Sequence, residues 1–139
     1  MKKYLIILLP FIALFFSNCK PNNEDIQQEL VREVMVIHDE VMPKMDDIHR
    51  TQKQLRAKKE TVTNTLVKKN IDDHIIALEG AGEGMMEWMA ALKLPSTDDT
   101  RSHEEIMLYL NGQKVEIQHV SDDMKGSIAA GKELLETLK

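Results

Sequence analysis

The sequence predicts an all-α protein, and three observations lead to that prediction. After residue 18 the chain is rich in Glu, Lys, Gln, Met, Ala and Leu, which are good helix formers. Only two aromatic residues, Trp88 and Tyr109, follow this point, whereas sheets draw on aromatic and β-branched residues. Apolar residues also recur every three or four positions along three long stretches. We therefore expect an up-down-up antiparallel bundle of three long helices, packed as in a coiled coil.

The N-terminal segment has the layout of a bacterial secretion signal. Lys2 and Lys3 precede an apolar run over residues 4–16. As a helix this run is roughly 20 Å long, whereas a transmembrane helix needs about 20 apolar residues, or about 30 Å. A short apolar core behind positive charge is typical of a signal peptide, and Pro10 argues against a permanent buried helix.

The apolar run ends in Phe16-Ser17-Asn18-Cys19, which resembles the lipobox of bacterial lipoproteins, although Asn18 replaces the usual Gly or Ala. The resemblance implies that residues 1–18 are removed and that Cys19 carries the lipid. Two or more acyl chains hold a protein stably on a membrane. Residues 19–23 would then tether a helical domain, residues 24–139, to the cell envelope, facing the periplasm or the cell exterior. The alternatives are an ordinary cleaved signal with an incidental cysteine, or a free thiol at Cys19.

Charge and cysteine content exclude several classes of protein. Loss of the two signal lysines leaves 16 basic against 23 acidic residues, a net charge of −7. Nucleic-acid binding relies on basic patches, so we expect none. Cys19 is the only cysteine, so no internal disulfide supports the fold and stability must come from packing.

The first predicted helix runs from Glu24 to near Lys59, with Asn23 as its N-cap. Pro43 lies inside it and removes the hydrogen bond to the carbonyl of Asp39, which predicts a kink there. Its apolar stripe consists of Ile26, Leu30, Val34, Ile37, Val41, Met45, Ile48 and Leu55.

The second predicted helix follows a turn at residues 60–65, where threonines cluster. Its apolar stripe consists of Leu66, Ile71, Ile75, Leu78, Met85, Met89 and Leu92. Three glycines within residues 80–84 interrupt the pattern, and each interior glycine costs about 1 kcal/mol relative to alanine. We favour a close approach of two helices there over a local break. Pro95 is expected to end the helix.

The third predicted helix has the clearest boundary in the chain. Ser102 and Glu105 have the spacing of a capping box, in which each side chain accepts the other residue's backbone N–H. The helix is expected to run almost to Lys139. Its apolar stripe consists of Ile106, Leu110, Ile117, Val120, Met124, Ile128, Leu135 and Leu138.

Methionine and histidine residues suggest a metal site at one end of the bundle. If the two turns lie near residues 60 and 97, these residues come to similar levels, and thioethers with imidazole suit Cu(I). The candidate ligands are His38, Met42, Met85, Met86, Met89, His103 and Met107. The competing interpretation, which we favour, is that methionines fill irregular gaps in the core.

A second polar group has less support as a metal site. Glu116-x-x-His119 matches half of the di-iron pattern, which needs two such motifs and two further glutamates on four helices. Asp46, His49 and residues 72–74 would lie near it, and a charged rim explains them more simply. The sequence has no predicted strand followed by a glycine-rich phosphate loop, and lipidation would consume the only thiol that could act as a nucleophile. We therefore expect no enzymatic activity.

Three segments resemble a family of small bacterial lipoproteins of unknown function, whose members are sometimes labelled "viral A-type inclusion protein". The segments are His38-Asp39-Glu40-Val41-Met42-Pro43-Lys44-Met45, Met85-Met86-Glu87-Trp88-Met89, and Tyr109-Leu110 with the later Ser127-Ile128. The resemblance spans nearly the whole chain after the signal. It implies a lipid anchor and a helical fold, and it transfers no functional residue.

Together these features predict a lipid-anchored binding or structural module without a cofactor. The alternative is a periplasmic copper-binding protein that uses the methionine and histidine residues. A protein partner or a homo-oligomer is also open, because Val31, Val36 and Val67 add apolar positions beside the stripes.

Overall fold

The structure, a computed structural model, describes residues 22–139, and every element in this range is helical. Its elements are α1 (Asn23–Val41), a 3-10 turn (Met42–Lys44), α2 (Met45–Thr61), α3 (Thr65–Ala91) and α4 (His103–Thr137). The predicted all-α class is confirmed for these residues. None of their helices combines the length and apolarity needed to cross a bilayer. The predicted signal peptide and the lipidation site at Cys19 lie outside the described residues.

The N-cap of α1 is Asn22, so the predicted cap at Asn23 is wrong by one residue. Asn22 Oδ1 accepts the backbone N–H of Asp25 at 2.8 Å, and the Asp25 carboxylate accepts the N–H of Asn22 at 3.4 Å. Capping from Asn23 would instead place the apolar Ile26 at the position where a carboxylate is needed. The reciprocal carboxylate therefore decides between two adjacent asparagines.

Pro43 divides the first predicted helix into two. α1 ends at Val41, and the 3-10 turn that contains Pro43 leads directly into α2. The backbone N–H of Met45 donates to the carbonyls of Met42 and Pro43. Proline has no N–H and its ring crowds the preceding turn, so the tighter 3-10 pattern replaces regular α-helix at this point.

The two later helices begin at side-chain caps. Asn64 Oδ1 accepts the N–H of Leu66 at 2.9 Å, which starts α3 after a connection of residues 62–64. The capping box of α4 is confirmed, because Ser102 Oγ accepts the N–H of Glu105 at 3.2 Å and Glu105 Oε2 accepts the N–H of Ser102 at 2.7 Å. α3 ends at Ala91, four residues before Pro95, and Leu92 already has an extended backbone.

The predicted stripes supply most of the core, with three exceptions. Leu66 is 78% exposed, Met89 is 38% exposed and Ile26 is 37% exposed, although all three fall on a stripe. Trp88, which no stripe includes, is buried. The main core contains Val34, Val41, Ile48, Leu55, Ile71, Ile75, Leu78, Ala81, Met85, Trp88, Ile117, Met124, Ile128 and Leu134. A smaller buried cluster contains Leu30, Ile106 and Leu110.

Ion pairs between helices record how the helices are aligned. In the ion pairs that join α1 or α2 to α4, the residue numbers of both partners increase together, as they do between parallel helices. In the pairs that join α2 to α3, one number rises as the other falls, as between antiparallel helices. The first set is Glu33–Lys114 at 2.6 Å, Glu40–Lys125 at 2.7 Å and Asp47–Lys132 at 3.7 Å. The second set is Arg56–Glu79 at 2.8 Å and Lys59–Asp72 at 2.7 Å. These pairs lie on the surface and each adds little stability.

Tyr109 holds the connection between α3 and α4 against α4. Its hydroxyl accepts the backbone N–H of Lys93 at 2.7 Å, and the guanidinium of Arg101 lies 5.0 Å from the centre of its ring. Arg101 in turn donates from its backbone N–H and its Nε to Asp99 Oδ1, at 3.0 and 2.9 Å. These contacts fix the path of the chain between the two helices.

The Asp99 carboxyl is expected to stay ionised in strong acid. The hydrogen bonds from the Arg101 side chain, followed by that from its backbone N–H, lower the pKa of Asp99 from 3.8 to about 2. Because the folded pKa lies below the unfolded one, this contribution to stability is complete above the unfolded pKa and disappears as the pH falls through about 2. A carboxyl-detected NMR titration should find this midpoint, and Arg101→Gln should return the pKa toward its ordinary value. An unshifted midpoint in the wild-type chain would contradict the pairing.

Candidate functional site

An apolar groove lies between α2 and α3, with a volume of about 340 Å³. We call it the methionine groove, and its lining residues are Met45, Ile48, His49, Gln52, Leu78, Glu79, Gly82, Glu83, Met86 and Glu87. The α2 residues recur at intervals of three and four, as do those of α3, so each helix contributes one continuous face. The groove therefore follows the line along which the two helices pack.

Gly82 lies opposite Met45 in the groove. A Cβ atom built on Gly82 would lie 3.5 Å from Met45 Cε, which is ordinary van der Waals contact, whereas one on Gly80 or Gly84 would meet open space. Of the three glycines, Gly82 is thus the one that faces α2, at ordinary contact distance. α3 passes through all three glycines without a break. A side chain larger than alanine at position 82 would fill the groove.

A second concavity adjoins the methionine groove at Met45, which lines both. It has a volume of about 500 Å³ and is formed at the 3-10 turn by His38, Asp39, Met42, Pro43, Met45 and Asp46. Interruption of the helix at Pro43 leaves this surface beside the groove. The two concavities together form one apolar track with polar edges.

Acidic side chains line the track along α3 and at the 3-10 turn. Glu79, Glu83 and Glu87 recur every four residues and therefore lie along one face of α3. Glu79 pairs with Arg56, whereas Glu83 and Glu87 form no ion pair with any residue of the 22–139 range. No lysine or arginine lines either concavity.

His38 and Trp88 bring α1 against α3 next to the track. Their rings stack with centroids 5.8 Å apart and planes inclined by 30°. His38 Nδ1 lies 2.8 Å from Asp39 Oδ1, so it donates a hydrogen bond to this carboxylate. The Trp88 side chain is buried, and its Nε1 has no hydrogen-bond partner among the described residues. The indole therefore acts as a packing group.

The seven predicted metal ligands do not gather in one place. His38 and Met42 line the second concavity, Met86 lines the methionine groove, and Met85 is fully buried in the main core. Met89 is partly exposed on α3. His103 Nδ1 accepts a hydrogen bond from Gln27 Nε2 at 3.0 Å, and Met107 packs on the smaller cluster around Leu30. His103 and Met107 therefore lie apart from the other candidates.

The alignment of α4 explains this separation. A predicted turn centred near residue 97 would set Met107 level with Trp88. In the structure the helices are shifted along each other, because Lys93 contacts Tyr109 and Leu78 lies beside Gly131. The N-terminal part of α4 thus extends past the end of α3 and packs on α1, as the Gln27–His103 contact records. Beyond the end of α3, the connection of residues 92–102 contacts α4 instead, through Tyr109.

The remaining polar candidates are not arranged for inward metal binding. Glu116 and His119 are both exposed, and Glu116 accepts a hydrogen bond from Gln113 Nε2 at 2.9 Å. Within residues 22–139, no three His, Asp or Glu side chains converge as metal ligands would. Of the three extra valines, Val36 is 65% exposed, whereas Val31 and Val67 are partly buried against the two cores.

The methionine groove combines residues that the sequence showed only separately. Met45 and Ile48 belong to one predicted stripe, Leu78 to another, and Gly82 to the glycine-rich stretch of residues 80–84. A small residue opposite a methionine is the signal that could have located the groove, once the helices are aligned.

No known protein-family model, curated protein sequence or solved structure matches the chain. Function must therefore be inferred from these residues and their geometry.

Proposed function

We propose that this chain is a lipid-anchored module of the bacterial cell envelope that binds another molecule and catalyses no reaction. The observation that carries the binding role is the methionine groove, an apolar track on a surface whose edges are charged. A concave, mainly apolar surface with a few polar groups at its edge is the usual form of a binding site. A lipoprotein that binds through its folded domain needs no catalytic residues, which agrees with the lack of a catalytic motif in the sequence.

The helical arms are best described as an up-down-up three-helix bundle whose first arm bends at Pro43. The directions of the interhelical ion pairs support this topology, and the 3-10 turn supports a bend. Two of the three segments that resemble the small lipoprotein family meet in the fold, where His38 and Trp88 stack on each other. Tyr109, from the third, fixes the connection between α3 and α4.

Anchoring at Cys19 would place the groove away from the membrane. Asn22, the helix cap, is three residue steps from Cys19, which is at most about 11 Å of extended chain. From Asn22 to Met45 the helical path covers about 35 Å at about 1.5 Å per residue. An upright bundle would then hold its N-terminal end at the lipid surface and present the groove to partners in the surrounding compartment.

Cys19→Ser is expected to reduce the membrane-bound protein at least about tenfold, because the thioether-linked acyl chains would be lost. Fractionation of cells that express the full chain measures this, and mass spectrometry of the N-terminal peptide identifies the modification. Asn18→Ala is the matched control, since alanine is usual at this lipobox position and anchoring should persist. Equal membrane fractions for wild type and Cys19→Ser would refute the lipid anchor.

Copper binding is the second candidate, with fewer ligands than the sequence suggested. His38, Met42 and Met45 share one concavity, and they offer the imidazole and thioether donors that suit Cu(I). His103 and Met107 would not take part, because they lie in the N-terminal part of α4, away from this concavity. The apolar floor of the methionine groove favours a macromolecular partner over a metal ion.

A further inference from the structure

The methionine groove has the shape of a trough that accepts a helix. Its two walls are the neighbouring helices α2 and α3, and it continues past Met45 into the second concavity. An amphipathic helix binds such a trough through apolar side chains spaced at i, i+3, i+4 and i+7. Gly82 contributes no side chain to the floor, so the end of the flexible Met45 side chain lies there and can move aside for one such anchor.

The methionines make the floor adaptable. Met86 is 53% exposed and Met45 is partly buried, while Ile48 and Leu78 beneath them are almost completely buried. Methionine is unbranched and polarizable, so it adjusts to apolar side chains of different shapes. Surfaces that bind amphipathic helices often use methionine for this reason. A rigid core of Ile48 and Leu78 under a methionine layer fits this role.

Charge selects among helices that could occupy the trough. Glu83 and Glu87 lie along the α3 edge without ion-pair partners in the described structure, and Asp46 lies at the edge formed by the 3-10 turn. An acidic or neutral helix would leave these carboxylates unpaired, whereas a basic one would complement them. A second copy of this chain is disfavoured, because its groove is acidic and the whole chain has a net charge of −5.

We propose that the methionine groove binds a basic amphipathic helix from a partner protein. The helix places its apolar face on Met45 and Met86 and its lysine or arginine side chains against Glu83 and Glu87. This inference rests on the proposed role as a binding module and assigns the binding surface. It is independent of the anchor, so the fractionation of Cys19→Ser can succeed whether or not the groove binds a helix.

The probe is a fluorescein-labelled 18-residue peptide of leucine and lysine, arranged so that leucine forms one face of a helix. The full chain is reconstituted in phosphatidylcholine nanodiscs, binding is followed by fluorescence anisotropy, and empty nanodiscs give the background. The double variant Glu83→Lys/Glu87→Lys is expected to weaken binding at least about tenfold through like-charge repulsion. The matched control, Asp123→Lys/Glu133→Lys, makes the same charge change at exposed positions on α4 and should stay within about twofold of wild type.

A second pair of variants separates apolar contact from charge. Met86→Glu adds a negative charge that would attract the peptide, so weaker binding can come only from loss of the apolar contact. Leu108→Glu is its control, because Leu108 is 77% exposed on α4. Circular dichroism of each variant checks that helix content is retained.

Three results would overturn the proposal. The first is equal binding of a scrambled peptide with the same composition, which would indicate charge attraction alone. The second is unchanged binding in both Met86→Glu and Glu83→Lys/Glu87→Lys. The third is concentration-dependent self-association that Met86→Glu abolishes, since a second copy would then occupy the groove.

Discussion

Trp88→Ala is expected to lower the free energy of unfolding by about 3–5 kcal/mol, the range for large-to-small substitutions of buried aromatic residues. The Trp88 side chain is only 5% exposed and belongs to the main core, where it also stacks on His38. Its removal leaves a cavity between α1 and α3 that helices of this length cannot easily close. Urea denaturation of residues 20–139, followed by circular dichroism in the far ultraviolet, measures the change.

Two further variants show whether Trp88 acts by packing alone. Leu108→Ala is the exposed control and should change stability by no more than about 0.5 kcal/mol. Trp88→Phe keeps an aromatic ring and removes Nε1, which has no partner among the described residues, so its loss should be well below that of Trp88→Ala. A loss as large as that of Trp88→Ala would mean that the indole N–H makes a bond essential to the fold.

Helix boundaries were the most predictable part of the fold, because local side chains set them. Ser102 and Glu105 cap α4 as expected, with both reciprocal hydrogen bonds present. The error at the start of α1 has an equally local cause, since only Asn22 has a carboxylate three residues later. A search for both halves of the capping box would have found the correct residue.

The alignment of α4 could not be read from the sequence. The predicted turn assumed that helices facing each other end at the same level, whereas residues 92–102 are held along α4 by contacts to Tyr109. These contacts include a backbone N–H and a stacked guanidinium, neither of which leaves a periodic signal. Every residue of α4 was therefore assigned to the wrong level, which is why His103 and Met107 seemed close to Met85.

The components of the methionine groove were visible in the sequence, but its existence depends on tertiary contacts. Met45 looked like an ordinary core position, but it is only partly buried, and its Cε lies opposite Gly82. Exposure of Met86 follows from the same alignment. Helical periodicity gives the face of each residue, whereas the partner across the interface depends on how far one helix is shifted along the other.

Gly131→Ala is expected to destabilise the protein by about 1–3 kcal/mol through overpacking, although alanine favours helix over glycine by about 1 kcal/mol. A Cβ atom on Gly131 would lie 2.8 Å from Thr51 Cγ2 and 3.4 Å from Leu78 Cδ1, so neighbouring side chains must shift. Gly126→Ala is the matched control in the same helix. A Cβ atom there meets open space, and the variant should gain up to about 1 kcal/mol. Urea denaturation measures both.

Thr51 provides the test of mechanism. If the methyl group of Thr51 causes the loss, Thr51→Ala should rescue Gly131→Ala, and the double variant should be more stable than the sum of the single changes implies. The Thr51 hydroxyl is buried without a partner among the described residues, so its removal breaks no hydrogen bond. Additive changes would contradict the close contact, as would equal gains from Gly131→Ala and Gly126→Ala. Rescue would establish that α4 packs closely on α2 because position 131 has no side chain. The same close packing holds the side chains of Leu55 and Leu78 beside Gly131.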